Sequence, residues 1–96
     1  DITVDNNVCM RCDSDYEISR VSDKTMIDAA LEVSKDVDAI FMSCAALPAT
    51  RVIKKIEEAT GIPVVTSNQE MIWMAYRIIG IKDRIDLGKL FDHELL

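Results

Sequence analysis

No apolar run in the sequence approaches the ~20 residues that a membrane-spanning helix needs, and no signal peptide is visible at its start. Positive charge is in deficit, because 11 Lys and Arg residues stand against 17 Asp and Glu residues, for a net charge of −6. That charge disfavours binding to nucleic acid and to anionic lipid. We therefore expect neither a membrane nor a nucleic acid among the partners of this protein.

Histidine and cysteine are also scarce. The only histidine, His93, lies far along the chain from Cys9 and Cys12, so this CxxC pair lacks the further ligands of a four-coordinate zinc site. The residues before it do not favour the strand-to-helix setting of a thioredoxin-like motif, and a redox protein is the least favoured alternative. Three cysteines are an odd number for a disulfide framework. We interpret them as reduced thiols of a cytoplasmic protein with no metal and no cofactor.

The length of 96 residues, with 49% apolar and 29% charged residues, is typical of a single folded domain over 1–96. The sequence begins with Asp1 rather than Met, which we interpret as the sign of a processed, truncated or expressed fragment. The stretch 81–96 is apolar around 87–91. We expect this tail to dock on its own domain or on a partner domain.

Short apolar runs at 2–4, 39–42 and 63–66 predict three strands, and 39–42 is typical of a strand buried on both faces. Helical patterns separate these runs, which implies a parallel sheet. The predicted fold is therefore α/β, a three-layer parallel sheet with helices on both faces. Three strands are few for this architecture, which leaves room for a further strand before Asp1.

Apolar residues at helical spacing predict helices over 22–34, 48–60 and 67–79. Ser22 is expected to cap the first, and Ser67 to cap the third in a capping box with Glu70. The third helix is expected to bury Ile72, Ala75, Tyr76 and Ile79.

One cysteine lies where a strand is expected to give way to a helix. Cys44 follows the run 39–42 with only Ser43 between them, and the unpaired first amides of a helix would favour an anionic ligand or a thiolate there. Asn68 follows the run 63–66, so both residues are expected in one cleft at the carboxyl edge of the sheet. The alternative is that Cys44 is a small core residue, since free cysteine is often buried.

The segments DAIFMSCAAL and GIPVVTSNQEMIWMAYRIIGI, with the tail 87–90, resemble the second half of the Asp/Glu racemase superfamily. Within it they are most similar to the maleate cis-trans isomerase and arylmalonate decarboxylase branch. The resemblance implies a flavodoxin-like half of a two-domain fold, with one catalytic cysteine from each domain. Cys44 matches the cysteine of the second domain. The first, N-terminal domain is then the missing partner of this chain.

The resemblance further implies a cysteine-dependent, cofactor-independent isomerase, racemase or decarboxylase, maleate isomerase-like, acting on small carboxylic or dicarboxylic acids. It assigns substrate binding to Ser43, Ala45, Ala46, Asp15, Ser67 and Asn68. Two positions depart from the family pattern, because Ala45 stands where Thr is common and Asp15 where Asn is common. The substrate could therefore differ from maleate.

Two expectations concern the chain in isolation. A single domain would lack the second thiol, so we expect it to be inactive alone, and its uncovered apolar face favours a homo-oligomer. The competing hypothesis is a non-enzymatic α/β module that binds a small anion or a protein partner.

Overall fold

The computed structural model describes residues 2–95. Four α-helices and two β-strands follow one another within that range, with 3₁₀ turns at Ala49–Arg51 and Lys89–Asp92. The elements are α1 (Asp15–Ser19), α2 (Asp23–Val33), β1 (Ile40–Met42), α3 (Ile53–Thr60), β2 (Val64–Thr66) and α4 (Ser67–Ile78).

The two strands form a parallel pair, with Ile40 opposite Val64 and Met42 opposite Thr66. The predicted parallel pairing of 39–42 with 63–66 is confirmed. The prediction that 39–42 is buried on both faces is wrong, because Ile40 and Met42 are buried whereas the Phe41 side chain between them is 65% exposed. Alternate strand residues point to opposite faces, and the described chain fills only the face of Ile40 and Met42.

The predicted strand at 2–4 is absent from the described residues. Ile2 and Val4 are 95% and 76% exposed. The sheet within residues 2–95 has two strands instead of the three that were predicted. The physical reason lies in the polar residues that follow. The Asn6 side-chain amide donates to the carbonyls of Val33 and Lys35, each at 3.2 Å, which fastens this segment to the end of α2 instead of to β1.

Helix α2 confirms the first predicted helix. The Ser22 hydroxyl accepts a hydrogen bond from the Thr25 amide at 3.1 Å, as an N-cap does. Helix α1 was not predicted, although the sequence contains its N-cap. The Ser14 hydroxyl accepts a hydrogen bond from the Glu17 amide three residues later. The helix predicted over 48–60 is shorter than expected.

Helix α3 begins only at Ile53, because the chain first makes a 3₁₀ turn at Ala49–Arg51, which Val52 follows at φ −110° and ψ −4°. It ends at Gly61, whose φ of +72° suits a glycine C-cap. The core cluster is formed by Met26, Ala30, Ile40, Met42, Leu47, Ala49, Val52, Ile53, Ile56 and Val64.

Helix α4 buries polar side chains. Gln69 and Arg77 are buried, whereas Ile72 and Ala75 are exposed and Ile79, just beyond the helix, is 69% exposed. The apolar inward face predicted for this helix is therefore wrong. The reason is the chain that follows it, since the buried stripe of α4 satisfies backbone groups of 81–93.

Arg77 is the main anchor of this segment. Its guanidinium donates to the carbonyls of Ile81, Asp83, Phe91 and His93 at 2.9 to 3.1 Å. Gln69 Nε2 donates to the Leu87 carbonyl at 2.6 Å. Both side chains belong to α4, so the segment 81–93 is held against that helix by its own backbone carbonyls.

The Glu57 carboxylate makes the third attachment. It accepts hydrogen bonds from the Lys89 amide at 3.1 Å and from the Val64 amide at 3.0 Å. A Cβ at Gly88 would lie 2.5 Å from Ile53 Cγ2 and 3.0 Å from Glu57 Oε1, so only glycine lets the backbone approach this closely. Segment 81–93, helix α3 and strand β2 are thereby joined through one side chain.

An ion pair at the surface reinforces the same attachment. Lys54 Nζ lies 2.8 Å from Asp86 Oδ2, and this hydrogen bond lowers the pKa of Asp86 and raises the pKa of Lys54. Because the pKa of Asp86 is depressed in the folded state, the ion pair stabilises the folded chain fully at pH values above the ordinary aspartate pKa. It is lost as the pH falls through the depressed value.

We predict that Glu57→Ala destabilises the chain by about 2 kcal/mol, because it leaves the buried Val64 amide and the partly buried Lys89 amide without their acceptor. Urea unfolding of the 96-residue chain measures this change. The matched control is Glu58→Ala, an exposed neighbour on α3, which should change the free energy of unfolding by less than about 0.5 kcal/mol. Equal midpoints for the two variants would contradict the role given to Glu57.

Candidate functional site at the strand ends

Cys44 lies in a tight turn directly after β1. Its carbonyl accepts a hydrogen bond from the Leu47 amide at 3.1 Å, which closes a β-turn with Ala45 and Ala46 at its centre. The residue is exposed, and its φ is +101°. A non-glycine residue in this region costs on the order of 1–3 kcal/mol and is characteristic of functional sites.

The helix expected from residue 48 begins only at Ile53, so its first amides lie further along the chain from Cys44 than predicted. The unpaired donors near the thiol are instead those of the turn. Within residues 2–95, neither the Ala45 amide nor the Ala46 amide donates a hydrogen bond to another protein group. Two successive free amides in a turn form an anion-binding concavity. The site can therefore offer an anionic group two backbone donors beside a thiol.

The start of α4 packs directly against this turn. Ser67 Oγ accepts a hydrogen bond from the Cys44 amide at 2.9 Å, and Asn68 Nδ2 donates to the Ala45 carbonyl, also at 2.9 Å. The structure thus brings together four of the residues singled out in the sequence, Cys44, Ala45, Ser67 and Asn68. The ends of the two parallel strands are joined at this point.

The expected Ser67 cap of this helix is wrong. Thr66 is the N-cap, because its hydroxyl accepts from the Gln69 amide at 3.2 Å while Gln69 Oε1 accepts from the Thr66 amide at 2.9 Å. Thr66 and Gln69 are both buried, which makes this capping box part of the folded core. The cap is shifted by one residue, and the Ser67 hydroxyl is left to bind the Cys44 amide.

Two predicted site residues lie outside this contact set. Ser43 lines a cavity of about 300 Å³ along β1, together with Val8, Cys9 and Phe41. Asp15 is the exposed first residue of α1. In the part of the chain that the structure describes, no hydrogen bond or ion pair joins Asp15 to the Cys44 turn or to the start of α4.

Cys9 is exposed and Cys12 is half-buried, and both are free thiols. Within residues 2–95, no three His, Cys, Asp or Glu side chains are grouped as a metal-binding cluster. Over the same range, no helix has the length and apolarity that crossing a membrane requires.

Residues 2–91 match the family model described as arylmalonate decarboxylase. The chain belongs to this family. The resemblance to the maleate isomerase and arylmalonate decarboxylase branch, drawn from the cysteine after β1 and the GIPVV segment, is confirmed. A curated relative, the arylmalonate decarboxylase of Bordetella bronchiseptica, is 36% identical over an alignment of 80 residues, which covers 78% of this chain and 33% of that protein.

Two solved structures extend the likeness to the fold. A crystal structure of arylmalonate decarboxylase matches with a TM-score of 0.70 and 32% identity over 80% of this chain and 36% of that chain. A glycine-to-cysteine mutant of arylmalonate decarboxylase in its sulfate-associated form matches with a TM-score of 0.74 and 30% identity, over 88% and 38% of the two chains. The chain therefore spans about a third of the length of its relatives.

We predict that Cys44→Gly is about 1 kcal/mol more stable than Cys44→Ala, because glycine adopts a φ of +101° without the strain that any Cβ imposes. Both variants remove the thiol, so the difference between their free energies of unfolding measures the backbone strain at position 44. Urea unfolding of the two variants measures it. An alanine variant as stable as the glycine variant would contradict a strained backbone at Cys44.

Proposed function

We propose that this chain forms one wall of a cysteine-dependent, cofactor-independent decarboxylase site for small carboxylic acids, with Cys44 as the proton-donating thiol. The observation that carries the proposal is the turn at the end of β1. It presents an exposed thiol on a strained backbone, next to the free amides of Ala45 and Ala46. Membership in the arylmalonate decarboxylase family supports it.

The proposed reaction begins with a malonate whose retained carboxylate accepts hydrogen bonds from the Ala45 and Ala46 amides. The bond between the α-carbon and the other carboxylate breaks, which releases CO₂ and leaves its electron pair on the α-carbon and the retained carboxylate. The two amides stabilise the charge that develops there. The Cys44 thiol then gives its proton to the α-carbon. The resulting thiolate recovers a proton from solvent.

Decarboxylation suits the arrangement better than racemisation or maleate-type isomerisation. Inverting a carbon requires an acid and a base on opposite faces of the substrate, whereas replacing CO₂ by a proton requires one donor. Of the three thiols, Cys44 is the one within the turn that carries the free amides. A second thiol on the opposite face would have to come from elsewhere in a longer protein.

The remaining walls of the site are proposed to come from the rest of such a protein, since this chain spans about a third of its relatives. The uncovered apolar side chains of Phe41, Ile78 and Ile79 are consistent with a surface that another domain or a second copy covers. The substrate-binding roles expected for Asp15 and Ser43 stay predictions. We expect the 96-residue chain alone to turn over negligibly.

A chimera tests the role of the thiol. The part of the Bordetella bronchiseptica relative that corresponds to residues 2–91 of this chain, the range matched by the family model, is replaced by those residues, and CO₂ release from an arylmalonate is measured. We predict that Cys44→Ala lowers turnover by about 10²–10⁴-fold, the usual contribution of a positioned proton donor. Cys12→Ala, which also removes a thiol, should leave the rate near that of the unsubstituted chimera. Decarboxylation that survives Cys44→Ala would contradict the proposal.

The isolated chain provides the second arm of the test. Turnover of the arylmalonate by the 96 residues alone would overturn the need for further walls. Binding of a small carboxylate, with no turnover by the chain or by an intact chimera, would instead favour the non-enzymatic anion-binding module.

A further inference from the structure

We propose that Ser67 and Asn68 are positioning residues that fix the backbone of the Cys44 turn, rather than groups that contact the substrate. This inference rests on the proposed role of Cys44 and deepens it. Resemblance assigns both side chains to substrate binding. Their hydrogen bonds go instead to the turn itself, at 2.9 Å each.

Three successive peptide groups of the turn are each held by one hydrogen bond. The Cys44 amide is held by Ser67 Oγ, the Cys44 carbonyl by the Leu47 amide and the Ala45 carbonyl by Asn68 Nδ2. No freely rotating peptide plane is left between Ser43 and Ala46. The start of α4 supplies two of the three bonds, so the geometry of the thiol turn is set by the neighbouring strand end.

The planarity of the peptide bond gives these contacts a directional consequence. In a trans peptide the carbonyl and the amide of the next residue point in opposite directions. Because Asn68 holds the Ala45 carbonyl, the Ala46 amide points away from Asn68, and because Leu47 holds the Cys44 carbonyl, the Ala45 amide points away from Leu47. The two free donors are therefore aimed by groups that a substrate need not touch.

The Ser67 contact also explains how the strain at Cys44 persists. A non-glycine residue at a φ of +101° relaxes toward negative φ unless its surroundings hold it. The Cys44 amide is held across to α4 by the Ser67 hydroxyl. Removing that hydroxyl frees the amide and permits the relaxation.

Neither residue is needed for α4 itself to form. The helix is capped by Thr66 and Gln69, both buried, and its far end is fastened by Arg77 to the segment 81–93. Substitution of Ser67 or Asn68 should therefore leave the fold intact. That independence makes the positioning role open to a direct test.

The first measurement uses the 96-residue chain carrying Cys9→Ser and Cys12→Ser, so that Cys44 is its one thiol. Amide hydrogen exchange by NMR and the pH profile of Cys44 alkylation by iodoacetamide are compared for Ser67→Ala, Asn68→Ala and the hydroxyl-keeping control Ser67→Thr. We expect Ser67→Ala to speed exchange of the Cys44 amide about fivefold or more, as loss of one hydrogen bond implies. Both alanine variants should shift the alkylation profile, and Ser67→Thr should restore it.

Circular dichroism of each variant checks that the helices are retained. Unchanged Cys44 amide exchange and an unchanged alkylation profile in folded Ser67→Ala and Asn68→Ala chains would overturn the inference.

The second measurement places the same substitutions in the chimera and separates kcat from KM. A positioning role predicts that Ser67→Ala and Asn68→Ala lower kcat with KM nearly unchanged, and that Ser67→Thr recovers kcat. A rise in KM at constant kcat would mean that these residues bind substrate, and would overturn the inference while leaving the role of Cys44 intact. Turnover that persists in the Cys44→Ala chimera would contradict the proposed function instead, regardless of the hydrogen-exchange result.

Discussion

The hydrogen bonds accepted by the buried Glu57 carboxylate are the constraint on which the rest of the structure depends. A buried carboxylate is costly unless donors surround it, and here the donors are backbone amides of Val64 and Lys89. One side chain of α3 therefore fixes the start of β2 and the last segment of the chain together. Gly88 permits this approach because a Cβ there would collide with Ile53.

Buried hydrogen bonds also connect the core to the candidate site, through the side chain of Gln69. Its side chain accepts from the Thr66 amide and donates to the carbonyls of Val64 and Leu87. These bonds fix the residue at which α4 begins. Because the Thr66 hydroxyl is used as the N-cap, the Ser67 hydroxyl is free to accept a hydrogen bond from outside the helix. With Thr66 as the cap, Ser67 faces the Cys44 amide. Polar groups in the interior thus determine the geometry of a surface turn.

The sequence allowed the parallel pairing, the Ser22 cap and the proximity of Cys44 to Asn68 to be predicted, because each follows from the order of apolar runs and capping residues. The cap of α4 could not be predicted, since TSNQE contains two overlapping capping boxes and only burial of Thr66 and Gln69 selects the first. The buried face of α4 was missed because Arg77 resembles a solvated residue until its four carbonyl partners are known. The strand expected at 2–4 did not form because the Asn6 side chain holds this part of the chain to the end of α2, a long-range contact that local pattern does not reveal.

The geometry of the turn changes the interpretation of Ala45, which stands where the family commonly has Thr. Family resemblance places a hydroxyl there, and its loss first suggests a weaker grip on a carboxylate. In the turn, however, residue 45 acts through its backbone, because its carbonyl is held by Asn68 and its amide is free. A methyl side chain leaves that amide and the amide of Ala46 accessible. In the proposed site, the peptide planes would bind the anion, so the residues that orient those planes would matter more for binding than the side chain that was lost.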